Sequence, residues 1–142
     1  EIRYTPGSTL YAWEIVSPPP RFRASYGFNH GVTSFTGMNA HFGRGRANIP
    51  VLLDAPAWFG KHYNFSAPPH IEESGSGLDF VINRHNGYIN GLFLDWSVRK
   101  IGLKELWTLK WDDRSDTAGP WTKAGGVQPG DWPEWMQGFK DY

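Results

Sequence analysis

NRHNGYINGLFLDWSVRK, residues 83–100, is the stretch whose reading decides the fold. Asn86-Gly87 is a strong hairpin signal, because both residues tolerate the positive φ that a type I′ turn requires. The apolar run 78–83 (LDFVIN) reads as the strand before that turn, and 88–94 (YINGLFL) as the strand after it. A bend at Asp95-Trp96 then leads to a third strand over residues 97–101. His85 opens this unit and Asp95 closes it, with nine residues between them. The two are therefore expected at opposite ends of a strand unit, not on a helix.

Outward from this unit, residues 49–54 (IPVLLD) are a near-continuous apolar run, which suits a central strand. Residues 10–16 (LYAWEIV) read as another strand, ended by Ser17-Pro18-Pro19-Pro20, since proline removes a ladder donor. Residues 25–29 (SYGFN) supply a short one. Residues 31–47 are Gly- and Asn-rich and read as a long surface loop, a length that is often functional. A second loop runs from Asp54 to Gly77 and holds Trp58, His62, Tyr63, Phe65 and His70. Its Ser74-Gly75-Ser76-Gly77 stretch reads as a flexible loop. Leu103, Leu106 and Trp107 have helical spacing, predicting a short helix over 103–110. Asp131 is placed to cap a last helix with Pro133 in its first turn. Together these predict one α+β domain over residues 1–142, with an antiparallel β-sheet of about four to six strands, short helices and long loops.

Composition narrows the function classes. The 14 basic and 14 acidic residues cancel, so no electrostatic footprint for nucleic acid is present. No apolar run reaches the roughly 18 residues of a membrane span. There is no cysteine, which removes disulfides and thiol chemistry. Eight tryptophans must fill the core or make an adhesive surface. Trp107, Trp111, Trp121, Trp132 and Trp135 are expected to pin the C-terminal segment onto the sheet. Trp58, Phe59, Tyr63 and Phe65 either cover the core from above or line a groove for a small apolar ligand or a sugar.

A histidine, nine residues and then Asp-Gly mark a family of prepilin-type, pseudopilin-like bacterial proteins. The sequence resembles that family at His85 and Asp95, with Trp96 standing where the family has glycine. The likeness extends through RHNGYINGLFLDWSVRKIGLKELWTLKW and DTAGPWTKAGGVQPGDWPEWMQGFKDY, and upstream through SYGFN and NIPVLLD. It implies a pseudopilin-like globular domain related to type II secretion and type IV pilin assembly. The implied partners are pseudopilin or secretion-system subunits, and the implied location is periplasmic or extracellular. Such subunits carry a long apolar N-terminal helix that anchors them and drives assembly. These residues contain no such stretch, so the sequence is expected to be that of a subunit without its helix or of a soluble relative. The glycine replaced by Trp96 is expected to serve a special backbone angle.

Three constellations could carry chemistry. Asp112, Asp113 and Asp116 crowd one turn with Ser115, and hard cations such as Ca²⁺ take six to eight oxygens from such frames. The resemblance adds weight to calcium, since major pseudopilins hold one in a C-terminal loop rich in Asp and Ser. The turn is equally readable as a solvated loop with Arg114 neutralising one carboxylate. His85, Asp95 and Asp54 could converge at one sheet edge, where a metal and a nearby base would activate water for ester or lactone hydrolysis. Against that, a histidine beside a turn commonly bonds the backbone, and an Asp before a bend commonly makes an Asx-turn. His30, His41, His62 and His70 show no HxH or HExxH spacing and read as exposed loop side chains. GxSxG does not occur.

Overall fold

The computed structural model describes residues 2–33, 45–72, 78–112 and 114–142. Among these residues, β1 (Arg3–Thr5), β2 (Trp13–Ser17) and β3 (Phe22–Ala24) form an antiparallel sheet in sequence order. A second sheet holds β4 (Tyr26–Asn29), β5 (Pro50–Asp54), β6 (Phe59–Gly60), β7 (Tyr88–Phe93) and β8 (Val98–Gly102). Its order is β6-β4-β5-β7-β8, antiparallel except where β4 and β6 run parallel. Single helical turns α1 (His30–Thr33) and α2 (Glu134–Gln137) and 3-10 turns at Arg46–Asn48, Leu103–Thr108 and Pro129–Asp131 complete the elements. The architecture is α+β, as the sequence predicts, with the strands divided between two sheets. Among the described residues no helix is long and apolar enough to cross a membrane.

The apolar run at β5 does become a central strand, flanked by β4 and β7. β7 and β8 pair in register from Tyr88↔Gly102 to Leu92↔Val98. The strand expected over 78–83 is absent. Leu78, Phe80, Val81 and Ile82 are all buried, but the backbone turns between them, with Val81 N donating to Leu78 O and Ile82 N to Phe80 O. Three successive demands for burial, at Phe80, Val81 and Ile82, cannot be met by a pleat that sends alternate side chains to opposite faces, unless both faces are covered. The Asn86-Gly87 turn forms with φ of 51° and 88°, the positive angles the dipeptide promises. It leads into β7 instead of joining two strands. Asn83 Oδ1 accepts from Gly87 N at 2.6 Å, and Gly87 O accepts from Leu103 N at 2.9 Å.

The true hairpin turn of this unit is Leu94 to Ser97. Asp95 Oδ1 accepts from Ser97 N at 3.0 Å and from Ser97 Oγ at 2.6 Å, an Asx-turn. Trp96 then takes φ 68° with its ring 83 % exposed. The special backbone angle expected at this position is therefore real, and a β-carbon occupies it.

The 3-10 turn Leu103–Thr108 stands where a short helix was expected and buries Leu103, Lys104, Leu106 and Trp107. At the C-terminus the expected cap is displaced. Asp131 accepts from Gln128 N and so closes the preceding 3-10 turn, while Pro133 precedes α2. The expected strand over 10–16 starts later, at Trp13, because Ser8 accepts from the N–H groups of Leu10 and Tyr11 in a local turn. Much of the 31–47 loop and the Ser74–Gly77 stretch lie outside the described residues.

Trp96→Gly tests the reading of the hairpin. A non-glycine residue in the left-handed region costs about 1 kcal/mol, partly offset by glycine's larger unfolded-state entropy. The variant is expected to unfold at the same or a slightly higher denaturant midpoint despite losing the largest side chain in the turn. An unfolding free energy lowered by more than about 1 kcal/mol would mean the indole packs against something.

Candidate functional site

Alternation along the large sheet separates a core face from an outer face. Leu53, Ile89, Phe93 and Ile101 point into the core. The opposite face carries a row that crosses all five strands in register: Phe59↔Phe28↔Leu52↔Leu92↔Val98. Phe28 is 57 %, Phe59 42 % and Val98 72 % exposed. Trp58, beside Phe59, meets its ring at 4.7 Å and is also exposed. Four strand spacings make this apolar row roughly 19 Å long. Cross-strand neighbours of this kind stabilise the sheet; Leu52 and Leu92 at the row's centre are half-buried, while its two ends stay exposed.

Beside this row lies a polar one containing Tyr26, Asp54, Asn90 and Lys100. At the end of β5 the carboxylate of Asp54 accepts from Asn90 N at 2.7 Å. Arg84 holds Asp54 from the other side, with NH1 3.8 Å from Oδ1. The guanidinium also donates to the carbonyls of Ser25, Ala55, Ser8 and Tyr11, which tie the small sheet to the large one. Burial lowers the Arg84 pKa from its ordinary value, and the Asp54 charge opposes that shift. His85 Nε2 lies 3.2 Å from Asp54 Oδ2 and 3.0 Å from Asn90 Nδ2. With a proton on Nε2 it donates to the carboxylate; without one it accepts from the amide. So Asp54 and His85 do meet.

Asp95 does not join them. It sits beyond the far end of β7, bound into its Asx-turn. The Ser97 hydroxyl and N–H hold its carboxyl below the ordinary carboxylate range. The expected triad is thus a pair, because a strand separates the residues it joins in sequence. Among the described residues no hydroxyl bonds to His85, whose partners are Asn90 and Asp54.

The acidic turn is shaped by local bonds. Asp112 Oδ1 accepts from Arg114 N at 2.8 Å and from Ser115 Oγ at 3.1 Å. Asp116 Oδ1 accepts from Ala118 N at 2.9 Å. Arg114 stands 3.9 Å from Asp112 Oδ2. Asp113 lies outside the described residues. Among those described, no three His, Cys, Asp or Glu side chains gather as metal ligands. Two carboxylates in separate Asx-turns do not make a calcium cage by themselves.

His62 was expected to be exposed and is instead 3 % exposed. Its ring stacks on Trp111 at 4.8 Å and meets the edge of Trp107 at 4.7 Å. Both ring nitrogens lack a partner among the described residues. Burial pushes its pKa down to about 3, so the imidazole is neutral. No spacing in the sequence signals this; only Trp107 and Trp111, brought over the 61–65 segment, bury it. His30 and His70 are not buried, and His41 lies outside the described residues.

Comparison of the chain with protein-family models, with curated proteins and with solved structures finds no match.

His62 makes folding sensitive to acid. Its pKa is about 3 folded against 6.5 for the free side chain. The unfolded chain binds the proton first, so stability is complete above pH 6.5 and is lost as pH falls toward 3. The full loss is on the order of 5 kcal/mol. In urea titrations across that window, His62→Phe is expected to lose less stability than the parent by about this amount. Parallel pH profiles for the two proteins would contradict it.

Proposed function

We propose that the chain is a pseudopilin-like structural domain of a secretion or pilus-type assembly, working outside the cytoplasm. The observation that carries this reading is the apolar row Phe59–Phe28–Leu52–Leu92–Val98. A sheet face that is apolar on both sides calls for a covering layer. The resemblance supplies one of suitable chemistry: the apolar helix of such subunits. A helix rising 1.5 Å per residue would lie along the 19 Å row with about 13 residues. The resemblance at His85 and Asp95 fits a structural role as well, since these residues bracket β7, which pairs with the central strand β5 and contributes Leu92 to the row.

The domain joined behind a pilin-type apolar helix, with a photoreactive residue at Phe28 or Val98, is expected to cross-link to that helix. Phe28→Lys should abolish the cross-link from Val98 while changing stability by less than about 1 kcal/mol, as befits a largely exposed position. Equal cross-linking from exposed Lys123 in the C-terminal segment would remove the reading.

The resemblance also brings calcium at Asp112, Asp113 and Asp116. A second reading, a calcium-dependent hydrolase of a small ester or lactone, draws on the 3.2 Å contact between Asp54 and His85. It would use water as nucleophile and His85 as base. One experiment addresses both. Calcium added after chelation should raise the melting temperature by several degrees, an effect lost in Asp116→Ala. Hydrolysis lost on chelation and in His85→Ala would favour the enzyme; no hydrolysis of any ester or lactone would leave the structural domain.

A further inference from the structure

We propose that the cleft between residues 61–65 on one side and Trp111, Asp112 and residues 114–116 on the other binds a neutral saccharide of one or two rings. The cleft consists of two adjoining hollows of about 370 and 470 Å³ that share His62, Tyr63, Asp112 and Arg114. That is the size range of small-ligand sites. It shares no residue with the outer apolar row.

Two buried side chains lining the cleft have unused hydrogen-bonding capacity. Among the described residues, neither nitrogen of His62 has a partner. Asn64, 3 % exposed, donates through Nδ2 to Trp107 O at 2.7 Å and to Leu109 O at 2.9 Å. Two carbonyl partners fix the amide orientation, so the atom left over is an acceptor, Oδ1, and it too has no partner among the described residues. A buried polar atom without a partner carries a desolvation cost that a ligand can relieve. Neutral imidazole offers one donor and one acceptor, and Asn64 a second acceptor.

The rim supplies the rest. Tyr63 and Phe65 stack at 5.4 Å, with Phe65 75 % exposed. A flat ring pair of this kind suits the C–H face of a sugar. Across from it stand the carboxylates of Asp112 and Asp116 and the exposed guanidinium of Arg114. Such a mixture of acceptors and donors matches hydroxyl groups, each of which both gives and accepts a hydrogen bond. The two carboxylates stand against a phosphorylated or acidic ligand.

The test uses saturation-transfer NMR and tryptophan fluorescence on the intact chain. The probes are glucose, galactose, mannose, N-acetylglucosamine, cellobiose, maltose and diacetylchitobiose, with glucuronate and glucose 6-phosphate for comparison. At least one neutral sugar is expected to bind at millimolar strength and to change the emission of the tryptophans that flank His62. In calcium-free buffer, Phe65→Ala and Asp116→Asn, both at exposed positions, should each weaken it roughly tenfold with unchanged melting temperature. No transfer from any neutral sugar would overturn the proposal. So would binding that both variants leave intact, or stronger binding of the acidic sugars. A failure here leaves the proposed assembly role untouched, since that rests on the outer sheet face.

Discussion

The structure depends on a run of aromatic rings that covers the inner face of the large sheet. Phe80 stacks on Trp111 at 5.1 Å, Trp111 on His62 at 4.8 Å, and His62 meets Trp107 at 4.7 Å. Trp107 then meets Trp132 at 5.3 Å, and Trp132 meets Trp121 at 5.6 Å. These rings come from segments with little regular structure, where a long helix would more commonly cover a sheet. Each fully buried large side chain contributes roughly 1.5–3 kcal/mol, and offset and edge contacts add to that. The indole N–H groups also fasten chain to chain: Trp107 to Ser66 O, Trp111 to Leu106 O and Trp135 to Pro69 O.

The aromatic run explains why the C-terminal segment can be ordered with only two short helical turns. Its end is secured separately. Lys104 has a fully buried side chain and reaches Asp141 at 2.7 Å while lying 5.0 Å above the Trp132 ring. Lys123 N donates to Tyr142 O at 2.8 Å. A buried ammonium is tolerated because a carboxylate, a ring face and a carbonyl surround it. The same packing isolates His62, so the feature that makes the core stable at neutral pH makes it vulnerable to acid.

The division of labour between faces follows. With the inner face saturated by rings, Phe28, Phe59 and Val98 of the outer row lie outside the core and stay exposed. Arg84 and Asp54 mark its border, where charge, carbonyls and Asn90 close the end of β5 and join the two sheets. An exposed apolar face on one side and an aromatic core on the other are compatible because the sheet separates them.

Much of this was legible in the residues. The β5 run, the positive φ at Asn86-Gly87, the bend at Asp95, and the use of tryptophan to hold the C-terminal segment all follow from local chemistry and period. The meeting of Asp54 with His85 was legible as one possibility among several, since a sheet brings distant residues to one edge. What the sequence could not decide was which apolar runs become strands. Residues 78–83 have strand composition, yet their four apolar side chains all turn inward, and only the surrounding rings make that possible. The separation of Asp95 from His85 was legible too, since the strand read over 88–94 lies between them and β7 holds them at its two ends; which of the two would meet Asp54 was not. His62 was hidden for the same reason: its burial, its neutral ring and its unpartnered nitrogens are properties of Trp107 and Trp111, more than forty residues away along the chain. Local sequence sets the angles and the periods; long-range packing decides which side of each element is dry.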